Sequence, residues 1–483
     1  MNRAASHGAI YVVGRLVPSI VMVASTAIFT RMADPDTLSA YVLATSGALL
    51  GSAALFQWLR LSVLRYAHDE DRAQVIGASA VLYAVQGALV IGVGAIASMA
   101  GVRLDPQLIR IGVVLLLCQA WFDLIQELQR GALQPVSYSI TLCLKAVLSL
   151  ALGVVALYLF NSGYALVLAS AAALAIAPLH NVRKMFGGAK WSRRWAGKII
   201  AYGWPLSISL VLFNLSIVGD RFIIAHFLGA GAAGLYGPVS DLGRQTITTF
   251  LQSVTLASYP LAIKALKDGG VQAAREQLSS NAKLLLLLSV PCTLGVVAAA
   301  AECAFLLLGK EYRAMAGQLL PLSAGAAFFM SWQMFYFTQA TQLGEKTIGQ
   351  FIVMAGTAMV SLAMSFLMIP AHGLIGAGWA ALAAQGIGLV ISICVSRFCF
   401  PLPFPLLDAG KTLVAGIIMV AAVWITQHFV GNMSLFRVVA VISVGVVSYG
   451  ASAFLLDAAG IRRIFSGAAN RVRRLLGRAK DKK

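Results

Sequence analysis

What most constrains this chain is its punctuation: apolar runs on the order of 20 residues follow one another with short polar connections between them. A helix of that length crosses the roughly 30 Å hydrocarbon core of a bilayer. Hydrocarbon offers no partner for exposed backbone groups, so each run must be a helix that satisfies its own N–H and C=O groups. The runs fall at approximately 8–31, 39–62, 75–100, 108–128, 138–160 and 164–181, then 199–228, 233–260, 283–307, 315–341, 348–370 and 375–399, and finally 410–430 and 435–456. Charged residues make up only 11% of the chain, against about 25% in a soluble domain, and no polar stretch is long enough to fold apart from the membrane. The fold class expected is an all-α polytopic membrane protein of about fourteen transmembrane helices.

The positive charges orient it. Most of the 37 Lys and Arg lie in alternate connections, counted from the N-terminus, while the other side holds only Arg31, Arg103, Arg110, Lys310, Arg313 and Arg437. Cytoplasmic connections are the basic ones, so both termini are expected in the cytoplasm. The net charge of +19 therefore reports topology, and no nucleic-acid partner is expected. An even number of runs precedes the basic connection 183–198, so the second six repeat the first six in the same orientation. The expected organisation is an N-lobe at 1–182 (helices 1–6), a basic cytoplasmic linker at 183–198, a C-lobe at 199–400 (helices 7–12), two further helices at 401–458 and a basic amphipathic tail at 459–483. Pro401, Pro403 and Pro405 mark the break before the last pair.

In the tail, Ile461, Ile464, Phe465, Val472, Leu475 and Leu476 recur at helical spacing among arginines. That pattern suits a helix lying on anionic lipid, with a regulatory or partner-binding role as the alternative. The first run has Arg3 before it and small residues near its end, as a signal peptide would, but it continues beyond 20 residues and reads as a retained span. The six cysteines lack CxxC spacing and the six histidines lack HExxH, so no disulfide, metal or cofactor is expected. Gly410-Lys411-Thr412 ends like a P-loop, but Pro405 stands where its first glycine is required.

Charges inside the runs are the candidate functional residues, because an isolated charge in a bilayer costs a few kcal/mol and usually faces a partner or a watery cavity. Asp220, Arg221, Asp241 and Arg244 form two acid–base pairs on the seventh and eighth helices, either lining a polar interior or pinning those helices together. Arg15, Arg60 and Lys145 fall at comparable depth in the first lobe and are expected to form a cationic layer there. Arg15 and Lys145 are too deep to reach headgroups, whereas Arg60 either snorkels or meets substrate. Asp123 and Glu127, one turn apart, are placed to pair with Lys145. Asp123, Asp220 and Asp241 either carry a coupling proton or stay ionised beside bases. Glu302 is expected at the interface. Cations at several depths fit an anionic substrate, and guanidinium suits phosphate in particular.

Asp220-Arg221-Phe-Ile-Ile-Ala-His-Phe-Leu-Gly229, followed by Gly234-Leu-Tyr236 and by Pro260, resembles the Wzx-type polysaccharide (O-antigen) flippase family of the multidrug/oligosaccharidyl-lipid/polysaccharide exporter superfamily. The first hairpin is similar too, except that Ser39-Ala40-Tyr41 replaces the usual glycine-containing turn. The resemblance implies a bacterial inner-membrane protein that is not an enzyme. It would flip an undecaprenyl-pyrophosphate-linked oligosaccharide from the cytoplasmic to the periplasmic leaflet by alternating access. It also implies a cavity lined by Arg and Lys, matched in kind by Arg15, Lys145 and Arg244, and partnership with a polysaccharide polymerase and chain-length machinery. The alternatives are a lipid II flippase, a drug or cation antiporter of the same superfamily, and a membrane-embedded polymerase or ligase.

Overall fold

The computed structural model describes residues 3–66, 71–99 and 105–462, and within them all side chains except those of 3–13, 15, 16, 204–206, 257 and 347. The tail beyond 462, where the amphipathic helix is expected, lies outside the described residues. The described chain is helical throughout, without a strand. The helices are α1 (Arg3–Met32), α2 (Pro35–Leu55), α3 (Gln57–Tyr66), α4 (Arg72–Met99), α5 (Pro106–Gly131), α6 (Pro135–Phe160), α7 (Gly163–Ile176), α8 (Leu179–Phe186), α9 (Arg193–Leu228), α10 (Ala230–Ala298), α11 (Ala300–Leu307), α12 (Lys310–Trp332), α13 (Thr338–Leu343), α14 (Thr347–Cys399), α15 (Leu406–Phe429) and α16 (Leu435–Leu455).

Local chemistry sets where these helices begin. Asp34 precedes Pro35 and accepts from Thr37 N at 2.7 Å; Asp105 precedes Pro106 and accepts from Gln107 N at 2.9 Å. An acidic N-cap followed by proline satisfies an orphan donor while the ring presets φ for the first turn. Pro401, Pro403 and Pro405 lie between α14 and α15, as expected of residues that cannot continue a helix.

Among the described residues, ten helices are long and apolar enough to cross a membrane, or up to eleven if α7 and α8, bent by 40°, form one span. Two of the ten exceed any single crossing. At ~1.5 Å per residue, the 69 residues of α10 would run for about 100 Å. Gly270 (φ 72°) interrupts it and Gly373 (φ 62°) interrupts α14, each in a conformation that L side chains avoid. The connection expected between 260 and 283 is thus helical on both sides of a single glycine. Conversely, the second expected run is broken at Phe56 (φ −120°) into α2 and α3. The basic stretch 183–198 is largely helical, shared between the end of α8 and the start of α9.

Packing divides the helices into neighbourhoods. α1 lies on α6, α6 on α7, and α5 on both α2 and α7; α9 lies on α14, and α12 on both α10 and α14. α15 and α16 pair with each other and dock on α10. The two neighbourhoods meet where α2 runs along α9 and α10, with α3 also lying on α9 and α1 touching α10. The approach there is close: a Cβ built on Gly234 would stand 1.9 Å from the Pro35 carbonyl oxygen. Only hydrogen fits, so α10 lies flush on the start of α2. Leu38, Tyr236, Val239, Leu242, Tyr312 and Leu319 belong to the apolar core around this seam. Only 17% of the most apolar stretch of α4 is buried, an open apolar surface that suits hydrocarbon. The protein is a multi-pass membrane protein.

Candidate functional site

Asp220 and Arg221 stand two turns before the end of α9, and Asp241 and Arg244 stand one turn apart on α10. They form one cluster rather than two separate pairs. Neighbours on a helix point about 100° apart, so Arg221 turns away from Asp220 and reaches Asp241 Oδ1 with Nη2 at 2.6 Å. Arg244 Nη2 reaches the same oxygen at 2.5 Å. Tyr236 donates its hydroxyl to Asp220 Oδ2 at 2.7 Å. Arg221 is nearly buried, and its Nη1 donates to Ser46 Oγ on α2 at 3.0 Å, so the cluster spans the seam between the two neighbourhoods.

The cluster opens onto a hollow. One cavity of about 300 Å³ is lined by Tyr41, Gln119, Lys145, Arg221, Asp241 and Arg244, among others. A second, of about 290 Å³, shares Tyr41, Gln119 and Lys145 with it and extends toward α6 and α7 through Ser149 and Ser170. A third, of about 50 Å³, continues behind Arg221, Asp241 and Arg244 to Asp220 and Gln385. The three cavities share lining residues and so adjoin one another in a row from α6 to α14.

Lys145 stands between the two larger compartments, and among the described residues no ion pair holds it. Arg60 lies elsewhere. It meets Asp123 Oδ2 at 3.1 Å and Glu127 Oε1 at 3.5 Å, between α3 and α5. Asp123 also accepts from Gln119 at 3.0 Å, and Glu127 is paired with Arg130 at 3.1 Å. The two carboxylates expected opposite Lys145 are held directly by Arg60 and Arg130 on the face of α5 that packs on α3, while Asp123 and Lys145 attract one another at longer range without an ion-pair contact. Neither Arg60 nor Asp123 lines the three compartments. Arg15 sits on α1, and its side chain is outside the described residues.

Several residues had no sequence signal. Tyr41, Ser46, Gln119 and Gln245 line the hollow, and neutral polar residues at such positions look like any others in an apolar run. Glu302, expected at the interface, is fully buried; it accepts from Arg437 Nε at 2.8 Å and from Gln427 Nε2 at 3.1 Å. That contact joins α11 to α15 and α16.

A basic and hydrogen-bonding hollow within helices that cross a bilayer can take a polar, anionic group out of water without stripping it of partners. Among curated proteins no sequence matches the chain. Solved structures do match in fold. A lipid II flippase MurJ in an inward closed conformation aligns over 92% of this chain and 98% of its own, with TM-score 0.75 at 10% identity. An inward-facing multidrug resistance MATE family transporter of the MOP superfamily aligns over 80% of this chain and 97% of its own, with TM-score 0.65 at 12% identity. A MOP superfamily transporter from Pyrococcus furiosus, described by a binding pocket of reverse polarity, covers 81% of this chain and 95% of its own, with TM-score 0.59 at 12% identity. At such identities the likeness is one of fold. In sequence, residues 74–317 match the family model for polysaccharide biosynthesis proteins, half of the chain and the part that contains Lys145 and the α9–α10 cluster. The chain belongs to the polysaccharide biosynthesis protein family.

Proposed function

We propose that the protein is a flippase that carries a polyprenyl-pyrophosphate-linked oligosaccharide from the cytoplasmic to the periplasmic leaflet of a bacterial inner membrane. The observation that carries this reading is the hollow between α1, α2, α6 and α10, with Lys145 at its centre and the Arg221–Asp241–Arg244 cluster in its wall. A pyrophosphate and its sugars cannot enter hydrocarbon unaided, since charge and hydroxyls would be buried without partners. Here cations meet the phosphates, Gln119, Gln245, Ser46 and Tyr41 offer hydrogen bonds to sugars, and the polyprenyl tail stays in lipid. The lobes at 1–182 and 199–400 would rock about the seam of α2 with α9 and α10, opening the hollow to each side in turn. Both termini face the cytoplasm in this arrangement, where the tail lies on anionic lipid and a polymerase with its chain-length machinery receives the product on the far side. No step breaks a bond, so no catalytic residue is assigned.

The test is deletion of the gene and analysis of lipid-linked intermediates. Complete sugar units trapped on the cytoplasmic face, with loss of surface polysaccharide, are expected; units that reach the periplasm but stay unpolymerised would point to an enzyme instead. Accumulation of the peptidoglycan precursor would point to lipid II as the cargo. Single replacement of Arg15, Lys145 or Arg244 by Ala at unchanged protein level is expected to lower surface glycan, and full activity in all three would overturn the site.

A further inference from the structure

Asp241 makes an incomplete match with its arginines. One oxygen, Oδ1, serves both Arg221 and Arg244, and among the described residues Oδ2 accepts no hydrogen bond. Neither contact is the two-pronged pairing that gives Arg–carboxylate bridges their strength. Arg244 has no other side-chain hydrogen bond among the described residues, and a quarter of the surface of both Asp241 and Arg244 side chains is open to the hollow. The carboxylate is thus an anion held where a phosphate would bind, in a weaker geometry than a phosphate would adopt.

We propose that Asp241 is a resident anion, which occupies Arg221 and Arg244 until the phosphate of the cargo takes its place and which reclaims them when the cargo leaves. The inference rests on the reading of the hollow as a site for a pyrophosphate-bearing headgroup. Two guanidiniums held side by side within a membrane need a counter-charge at every stage of a transport cycle. Asp220 stands beside the same arginines but takes its hydrogen bond from Tyr236, so Asp241 is the anion in direct contact with them, and exchange of one anion for another keeps that contact filled throughout. A phosphate presents several oxygens and can meet Arg244 on two N–H groups while taking the Arg221 Nη2 donor, so it competes well with a carboxylate that offers one oxygen to both. The returning carboxylate in turn lowers the affinity enough for release, which a carrier needs as much as capture. Arg221 also donates to Ser46 on α2. Exchange at Asp241 therefore acts on a side chain that joins the two neighbourhoods of helices.

The full-length protein in lipid nanodiscs, titrated with inorganic pyrophosphate in a calorimeter, tests this. Asp241→Asn is expected to bind pyrophosphate about tenfold more tightly than the natural protein, because a close charge competitor is gone. Asp241→Glu, which keeps a carboxylate, is expected to stay near the natural affinity, and Arg244→Ala to bind more weakly. In proteoliposomes Asp241→Asn is expected to flip lipid-linked oligosaccharide more slowly despite binding more tightly. Should Asp241→Asn fail to fold, Asp241→Ser removes the same carboxylate and is read in the same way. Equal or weaker binding in the carboxylate-free variant, or tightening in Asp241→Glu as well, overturns the resident-anion proposal. Loss of binding in Arg244→Ala with no gain on removing the carboxylate overturns that proposal alone, whereas unchanged binding in Arg244→Ala overturns the reading of the hollow itself.

Discussion

Two ion clusters in this molecule use the same chemistry to opposite ends. Around Glu302, the carboxylate has no exposed surface, Arg437 and Gln427 cover it, and the result ties α11 to the pair α15–α16. Around Asp241, a quarter of the carboxylate and of Arg244 faces a hollow, one acceptor oxygen is shared by two guanidiniums, and Lys145 stands in the same space without an ion pair. The first cluster is saturated and closed; the second is under-matched and open. A charge within a membrane thus marks function only where its partners leave it capacity and a cavity gives access. Charge at depth is not enough.

Predictions that break or sharpen this contrast run from large to small effects on stability. Glu302→Ala strands Arg437 without its buried partner and is expected to cost about 3–5 kcal/mol, the usual loss when one member of a buried pair is removed. Thermal unfolding in detergent measures it, and a loss below about 1 kcal/mol would show the cluster to be less closed than described. Gly234→Ala forces a Cβ into the 1.9 Å gap against the Pro35 carbonyl and pushes α10 off α2. Overpacking of that kind costs about 1–3 kcal/mol, seen as a lower melting temperature together with slower transport. Ser46→Ala removes the acceptor of Arg221 Nη1 and is expected to cost about 1–2 kcal/mol in the same assay, since hydrogen bonds to charged groups exceed neutral ones. Lys145→Ala breaks no direct ion pair and removes a cation whose desolvation is itself costly, so no loss of stability beyond about 1 kcal/mol is expected. A large loss there would place Lys145 with Glu302 as a structural residue.

Much of this was legible in the sequence, for physical reasons. Apolar runs declare spans because the bilayer admits little else, and the break at Pro401–Pro405 follows from backbone chemistry local to those residues. Lys145, Arg221, Asp241 and Arg244 were visible because ionic residues in hydrocarbon need a reason to be there. Their partners were not, since a one-dimensional pattern does not say which face of α5 packs on α3 and which side chains meet. Asp123 and Glu127 accordingly make their direct ion pairs with Arg60 and Arg130, and Lys145 feels Asp123 only at longer range. The Glu302–Arg437 pair joins residues 135 positions apart, a separation no local pattern spans. Helical continuity up to Gly270 was hidden because polar residues after Pro260 look like a loop, although as part of α10 they are an exposed helix.

The most direct measurement is the rate at which the protein, reconstituted in proteoliposomes, moves a polyprenyl-pyrophosphate-linked oligosaccharide between leaflets, compared with Lys145→Ala at matched melting temperature. If the hollow shelters the phosphate head during crossing, the rate is expected to fall about tenfold or more, as loss of one charged contact to the moving group requires. An unchanged rate in a stable Lys145→Ala protein would contradict it.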